Sequence, residues 1–331
     1  MGSWTIRPVS LSRETVIGAL VLGGILLGVM ILSMFFGAVD LGPRAVWSGD
    51  HVARTILLQI RLPRVLLAAL VGAILAGAGA TFQTMLRNPL ADPFILGVSG
   101  GAACGAAIAS AFRLARYPGV VPAFAFAGAC LAIAVVLALS RRHGTSDPVR
   151  LLLAGLVLNA FFSALILLAL ALTAGSDLTS ALRWMMGSLA GAVWTDVRLL
   201  SIAFVVSFAL LVTVAGDLRM LDFGEDDARS RGVPLERVRL TAFLAASLAT
   251  GAAVAVSGII GFVGLLVPHA IRLVLPRDYR LLLPLSVLGG ATLLVASDTL
   301  ARVMVAPAEL PIGAVTAFLG VPFFLILLRR S

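Results

Sequence analysis

The sequence predicts an all-α membrane protein that crosses the bilayer several times. Its mean hydropathy is +1.07. Hydrophobic residues make up 60% of the 331 residues and charged residues 12%, whereas soluble domains carry about a quarter charged residues. Apolar stretches of about 20 residues, the length that a helix needs to cross the hydrocarbon, recur along the chain. These observations exclude an ordinary soluble domain and favour one transmembrane domain covering residues 1–331.

Ten stretches predict membrane spans, giving about ten transmembrane helices. The third consists almost wholly of small residues, which allow close backbone approach, so we expect it to be buried among other helices. Only Ser257-Gly258 separates the seventh span from the eighth. The predicted spans are residues 16–37, 64–85, 94–113, 119–140, 150–173, 195–215, 239–257, 259–275, 281–304 and 311–328.

Two Asp-Pro pairs mark predicted helix starts. Asp92 and Asp147 can each accept a hydrogen bond from a free N–H group, and Pro93 and Pro148 suit the first helical position, where a missing N–H costs nothing. We therefore expect a span to begin directly after each pair.

The distribution of the 25 arginines predicts the topology, since the chain has no lysine. With the N-terminus inside and ten crossings, sixteen arginines fall on the cytoplasmic side, so both termini are predicted to be cytoplasmic. Arg44, Arg54, Arg61 and Arg64 cluster on the outer side against this trend. The first apolar run lacks a small-residue cleavage site and is predicted to be a retained span.

A charged segment interrupts the apolar sequence at Leu221–Leu240, where nine of twenty residues are charged. Its pattern predicts two short helices outside the bilayer, joined at Arg231-Gly232-Val233-Pro234. A solvated loop that enforces topology is the alternative interpretation. The segment is longer than a tight connection needs, which favours a structured element with a partner.

The sequence contains no recognisable catalytic motif. A phosphate-binding P-loop requires a lysine, so the chain is not expected to hydrolyse ATP by itself. The three histidines are far apart and lack metal-binding spacing. Cys104 and Cys130 lie in apolar segments, where packing is favoured over a disulfide or a metal site. We expect neither an enzyme nor a bound cofactor, and the arginines of a membrane protein do not predict nucleic-acid binding.

Asp298 and Arg302 lie four residues apart in a predicted span, hence on one helix face. One interpretation is an ion or proton relay in a secondary transporter or channel. The other is a neutralised pair near a helix end, with Arg302 reaching the outer interface. The sequence has no chain of carboxylates across the bilayer, which favours the second interpretation.

Seven stretches, in order, resemble the FecCD-type permeases, the membrane subunits of ABC importers for ferric siderophores, haem and cobalamin. The resemblance covers almost the whole chain after residue 50 and leaves the choice among these three cargoes open. The stretches are RLPRVLLAALVGAILAGAGATFQTMLRNPLADPFILGVSGGAACGA, RRHGTSDPVRLLLAG, RWMMGSLAGAVW, GEDDARSRGV, GIIGFVGLLVPHAIR, ASDTLARV and APAELPIGAVTAFLGVPFF.

The resemblance implies a homodimer of ten-helix subunits in the bacterial inner membrane, with a translocation path along the dimer axis. Two ATPase subunits, which bind ATP and Mg, would dock below, and a periplasmic or lipid-anchored binding protein above. A lining of small and aliphatic residues implies that the cargo crosses as an intact chelate. The small-residue third span and the gate turns disfavour a non-transporting scaffold.

The resemblance also assigns roles to residues. Residues of about 217–239 would form coupling helices on the ATPase, and Asp226-Asp227 makes this segment more acidic than is usual. Asp147-Pro148 departs from the family pattern and would stiffen the second gate turn. The assigned residues are Gly224, Glu225, Asp226, Arg229 and Gly232 for coupling; Asn88, Leu90, Thr145 and Ser146 for the cytoplasmic gate; and Arg61, Arg64 and Arg302 for docking of the binding protein.

Overall fold

The computed structural model describes residues 13–37, 51–142, 145–146, 148–221, 224–274 and 278–328, and these ranges are almost wholly helical. A π-helical stretch, Ile56–Arg61, joins α2 to α3 without a break, and a two-residue hairpin of β1 and β2 links α5 to α6. The elements are α1 (Arg13–Phe35), α2 (His51–Thr55), α3 (Leu62–Met85), α4 (Val98–Ala111), α5 (Val120–Ser140), β1 (Arg141–Arg142), β2 (Thr145–Ser146), α6 (Pro148–Leu172), α7 (Ser176–Met185), α8 (Trp194–Thr213), α9 (Ala215–Leu221), α10 (Glu225–Ser230), α11 (Leu235–Ser257), α12 (Val263–Val274), α13 (Tyr279–Val303) and α14 (Ile312–Leu328).

Each of the ten predicted spans contains a helix. In the described ranges seven helices are long and apolar enough to cross a membrane: α1, the continuous helix His51–Met85, α5, α6, α8, α11 and α13. The helices of the third, eighth and tenth spans, α4, α12 and α14, are shorter. The structure thus confirms an all-helical chain with several apolar spans, and it adds the short helix α7, which the sequence reasoning missed.

The small-residue helix α4 is buried, as predicted. Its glycines allow α5 to pass at backbone distance, because a Cβ atom on Gly101 would overlap the carbonyl of Gly128 and one on Gly105 the carbonyl of Phe124. Close packing of this kind replaces the hydrophobic driving force that is absent between helices in lipid.

The prediction that a helix begins directly after Asp92-Pro93 is wrong. Helix α4 begins at Val98, after Gly97 with φ of +85°, a left-handed conformation that interrupts the helical path and that glycine adopts readily. Asp92 instead accepts a hydrogen bond from the backbone N–H of Phe94 at 2.8 Å. Pro148 is the first residue of α6, as predicted, while Asp147 lies outside the described residues.

The second short helix expected after Pro234 is not separate. Leu235–Ser257 is one helix, α11, so the first turns of α11 belong to the charged segment and the rest to the seventh span. No proline interrupts this stretch, and its first turn carries Glu236, which favours a helix N-terminus. The predicted break at Gly258 is confirmed, with φ of +69°.

Two large buried clusters run through the bundle, and some members of each mark one of its two ends. One joins Met85, Leu151, Leu218, Ala228 and Tyr279, which lie where α3 ends, α6 begins, α9 and α10 pack and α13 begins. We call this the α10 end. The other cluster includes Val65 and Ala301, from the start of α3 and the end of α13, and we call it the Arg64 end.

Candidate functional site

Helices α9 and α10 form a compact element fixed to the α10 end. Leu218 and Ala228 are fully buried in the core there. Gly224 with φ of +124° and Gly232 with φ of +79° form the bends at the two ends of α10. A positive φ of this kind is inexpensive only for glycine, which explains why glycine occupies both of these predicted positions.

The Glu225 carboxylate forms an ion pair with the buried guanidinium of Arg239 in α11. This pair holds α10 against α11, and Arg239 was not singled out from the sequence. Arg229 lies 4.0 Å from Glu225, the upper limit for an ion pair, and its side chain is 62% exposed. Glu225 is therefore a fixing residue of the element, while Arg229 is free to meet another molecule.

The exposed surface of this element is charged. It consists of acidic and basic side chains on α10 and the turn after it, which we call the α10 charged face. Its exposed members are Asp226, Asp227, Arg229 and Arg231. A rigid element with such a face suits electrostatic docking of a complementary surface.

Asn88 and Leu90 lie in the turn between α3 and α4, at the α10 end. The side-chain oxygen of Asn88 accepts a hydrogen bond from the N–H of Leu90 at 2.9 Å, which is an Asx turn. Leu90 is 51% exposed. The turn is braced from α6, where the Asn159 amide donates to the carbonyl of Phe94 at 2.7 Å; Asn159 was also not recognised from the sequence.

Thr145 and Ser146 form strand β2, which pairs antiparallel with β1 in the register Arg142 with Thr145 and Arg141 with Ser146. The strand contacts α11. The hairpin therefore lies beside α11, and the Asn88 turn follows the end of α3 at the α10 end.

Asp92 supplies a pH prediction, because burial raises the pKa of its carboxyl group from 3.8 to about 6, against the opposing effect of the Phe94 N–H. The folded chain holds this proton between about pH 4 and 6 and the unfolded chain does not, so this group makes stability fall as the pH rises through that window. Asp92→Asn keeps an oxygen acceptor and removes the charge. At pH 7.5 we expect its free energy of unfolding to exceed that of wild type by up to about 3 kcal/mol, and its unfolding temperature to be higher.

Thermal unfolding in detergent from pH 4 to 8 measures this effect. The fall in unfolding temperature between pH 4 and 6 should be smaller in Asp92→Asn than in wild type. It should be unchanged in Asp226→Asn, which neutralises an exposed carboxylate. Identical pH profiles for wild type and Asp92→Asn would contradict the assignment.

A buried ionic network lies at the Arg64 end. The Arg64 guanidinium contacts Asp298 at 2.9 Å and Glu309 at 2.9 Å. Asp298 is fully buried, and its second oxygen lies 3.1 Å from the Nε of Arg302. Two arginines thus enclose one carboxylate, and Glu309, whose side chain is 33% exposed, closes the network toward the surface.

The expectation that Arg302 reaches the interface is wrong. Arg61, Arg64 and Arg302 are 5%, 7% and 4% exposed. Arg302 donates to the hydroxyl of Ser33 at 2.6 Å, and Arg61 donates to the carbonyl of Phe35 at 2.8 Å. Cations are favourable at the carbonyl end of a helix, so these two arginines fix the end of α1.

The pairing of Asp298 with Arg302 was expected and is confirmed, but the acids that compensate Arg64 were missed. Asp298 and Glu309 follow Arg64 by 234 and 245 residues, and sequence spacing gives no signal for such a contact. In the part of the chain that the structure describes, no group of three or more His, Cys, Asp or Glu side chains could hold a metal ion.

Comparison with known families matches residues 25–330 to the FecCD transport family. The haemin transport system permease HmuU of Yersinia pestis is 41% identical, over 94% of this chain and 96% of HmuU. The cobalamin import permease BtuC of Halobacterium salinarum is 44% identical, over 84% of this chain and 74% of BtuC. An uncharacterised ABC transporter permease, YvrB of Bacillus subtilis, is 43% identical over 87% of this chain and 82% of YvrB.

Among solved structures, an ABC transporter assigned to the metal-chelate type, in an inward-facing conformation, is similar with a TM-score of 0.86 and 32% identity. The match covers 95% of this chain and 99% of the other. PsaBC of Streptococcus pneumoniae is similar in fold alone, with a TM-score of 0.53 and 17% identity. Helices and loops along nearly the whole chain therefore have counterparts in a transporter of known structure.

Proposed function

This chain belongs to the FecCD transport family and is a permease subunit of an ABC importer, and we propose that it carries an intact metal chelate (a ferric siderophore, haem or cobalamin) into the cytoplasm. The α10 charged face carries this proposal. A structured, exposed and charged element beside apolar spans needs a partner outside the membrane, and the lysine-free chain has no P-loop with which to hydrolyse ATP alone.

The chelated state of the cargo follows from side-chain chemistry. Two of the relatives named above are a haemin and a cobalamin permease, and both of these molecules hold their metal in a macrocycle. Because the described residues contain no cluster of metal ligands, the metal is proposed to remain in its chelator during transport.

Uptake into proteoliposomes tests the proposal. The permease is reconstituted with its ATPase and binding protein, and cargo labelled in both metal and chelator is offered. We expect both labels to enter in a constant ratio and only with ATP. Uptake driven by an ion gradient without ATP would instead support a secondary transporter using Asp298 and Arg302, which the enclosure of Asp298 disfavours.

The assembly is proposed to be a homodimer with ten spans per subunit, both termini cytoplasmic, and a central path in the bacterial inner membrane. With α4, α12 and α14 counted as spans and the N-terminus inside, the proposal puts the α10 end on the cytoplasmic side. Small-residue helices such as α4 can be shorter than the bilayer because they are enclosed by longer ones. Two ATPase subunits are proposed to bind the α10 charged face, and a periplasmic or lipid-anchored binding protein the opposite end.

Asn88, Leu90, Thr145 and Ser146 are proposed to form the cytoplasmic gate between the two subunits. Exposure of Leu90 at a turn shaped by Asn88 supports this role. We expect single cysteines at Leu90 or Thr145 to cross-link between subunits in a nucleotide-dependent way. A cysteine at exposed Leu182 in α7 is the control, and a nucleotide-independent yield at both gate positions would contradict the assignment.

We propose that the binding protein docks at the Arg64 end. Because the arginines there are buried and already paired, docking requires an exchange of ion-pair partners. An acidic residue of the binding protein would have to replace Glu309 at the Arg64 guanidinium. Glu309→Gln removes the competing charge and leaves the Arg64–Asp298 contact intact, so we expect faster association, most clearly at low salt.

Stopped-flow association of purified binding protein with the reconstituted complex at two ionic strengths measures this effect. Glu236→Gln, at the α10 end, is the charge-matched control. Equal association rates for Glu309→Gln and wild type at low salt would remove Arg64 from the docking surface.

A further inference from the structure

A cavity of about 470 Å³ opens at the α10 end, between the end of α8, helix α9 and the start of α13. Its walls are mostly apolar, and two of the lining residues are charged. The lining residues that matter here are Phe208, Val212, Thr213, Asp217, Arg280 and Leu283.

The two charged residues, Asp217 and Arg280, share the cavity without pairing with each other within 4 Å. Among the described residues neither forms an ion pair, whereas the adjacent Arg219 and Asp278 are paired at 3.3 Å. The Arg280 guanidinium lies against α9, since a Cβ atom on Gly216 would be 2.8 Å from its Nη2. One cavity thus offers a cation and an anion with space between them.

A second, narrow apolar cleft lies beside the cavity. Phe208 and Leu283 border both spaces, and Ile74 and Phe204 border the cleft alone, between α3, α8, α11 and α13. The outer surface of α8 beside the cavity exposes apolar side chains such as Val212. A surface of this composition on a spanning helix faces lipid.

We propose that this cavity binds phosphatidylethanolamine from the surrounding bilayer. The lipid phosphate would be held by Arg280, whose planar fork suits phosphate oxygens. The primary ammonium would donate to the Asp217 carboxylate, and an acyl chain would lie along Phe208 and Leu283. An arginine alone would fit any anionic headgroup, whereas opposite charges in one cavity fit a dipolar headgroup whose cationic end carries N–H donors.

The site connects the bilayer to the element that bears the α10 charged face. Asp217 is in α9, and Arg219 of the same helix is tied to Asp278 at the start of α13. A lipid between Asp217 and Arg280 adds a second link between α9 and α13. Only its assignment to the cytoplasmic leaflet rests on the proposed function; lipid binding itself is tested without transport.

Native mass spectrometry and thermal unfolding of the delipidated, purified full-length chain test the proposal. Phosphatidylethanolamine, phosphatidylcholine and phosphatidylglycerol of matched acyl chains are added separately. We expect phosphatidylethanolamine to be retained most and to raise the unfolding temperature, as any ligand of the folded state does. Arg280→Gln should weaken its retention about tenfold, the effect of losing one charge-assisted hydrogen bond.

Three further variants make the result specific. Asp217→Asn should lose the preference for phosphatidylethanolamine over phosphatidylcholine, and Thr213→Phe should block the cavity while keeping both charges. Arg237→Gln, an exposed arginine of α11, should bind lipid as wild type does. Equal retention of the three lipids by wild type, or unchanged retention in both Arg280→Gln and Asp217→Asn, would overturn the proposal. Failure of wild type to retain any lipid while forming a dimer that shields Val212 would assign the cavity to a second copy and overturn it as well.

Discussion

Arg64→Met is expected to lower the free energy of unfolding by about 3–5 kcal/mol, the cost of removing one partner from a buried ion pair. Methionine keeps much of the length and apolar surface of the arginine stem. The loss therefore comes from Asp298, which is fully buried and would keep only Arg302 as a cationic partner, at 3.1 Å. Unfolding of the detergent-solubilised protein by heat or denaturant, followed by circular dichroism, measures the change.

Two matched variants separate charge loss from side-chain loss. Arg54→Met alters an exposed arginine near the same end and should change stability by less than about 0.5 kcal/mol. Glu309→Gln removes the more exposed partner of Arg64 and should cost only about 1 kcal/mol. A double variant, Arg64→Met with Asp298→Leu, should recover part of the loss, because replacing both partners by apolar groups removes the uncompensated charge.

A stability of Arg64→Met equal to that of Arg54→Met would contradict the assignment of Arg64 as the cation that compensates Asp298. The network also limits how docking can be studied. Reversal of Arg61, Arg64 and Arg302 to glutamate places three more acids around Asp298 and Glu309. We expect such a chain to misfold, so lost transport in it would not reveal a docking surface.

The regular parts of the fold were predictable because they depend on local composition. Apolar length located a helix in each of the ten spans, and the small residues of Val98–Ala111 indicated its burial. Helix ends were less predictable where a special backbone conformation decided them. Gly97 moved the start of α4 away from Asp92, and the absence of a breaker after Leu235 merged a predicted short helix with the following span.

The residues of the sites could be located from the sequence, but most of their contact partners could not. Arg64 and Arg302 were recognised as unusual, yet the sequence indicated an external acid where Glu309 lies within the chain. Glu225 was assigned to coupling, although its partner Arg239 fixes it internally. In both cases the missing information is which distant segments pack together, and that is set by helix packing rather than by any local pattern.

Reversal of the α10 charged face, by Asp226→Arg, Asp227→Arg and Arg229→Glu together, is expected to reduce ATPase activity stimulated by the permease at least about tenfold. Juxtaposed like charges at an interface cost several kcal/mol, and about 1.4 kcal/mol corresponds to a factor of ten. These side chains are exposed, while Ala228 and the Glu225–Arg239 pair that hold α10 in place remain unchanged. The element should therefore keep its fold and lose its partner.

ATP hydrolysis by the reconstituted complex and co-purification of the ATPase measure this effect together. The control is Asp177→Arg with Arg183→Glu, a reversal on α7, which lies outside the charged segment. Reversal of Glu225 is a poorer test, because it would break the internal pair with Arg239. Lost activity could then come from a displaced α10 rather than from a lost contact with the ATPase. Normal hydrolysis and ATPase capture by the α10 variant would exclude this face as the coupling surface and leave its charges with a topological role alone.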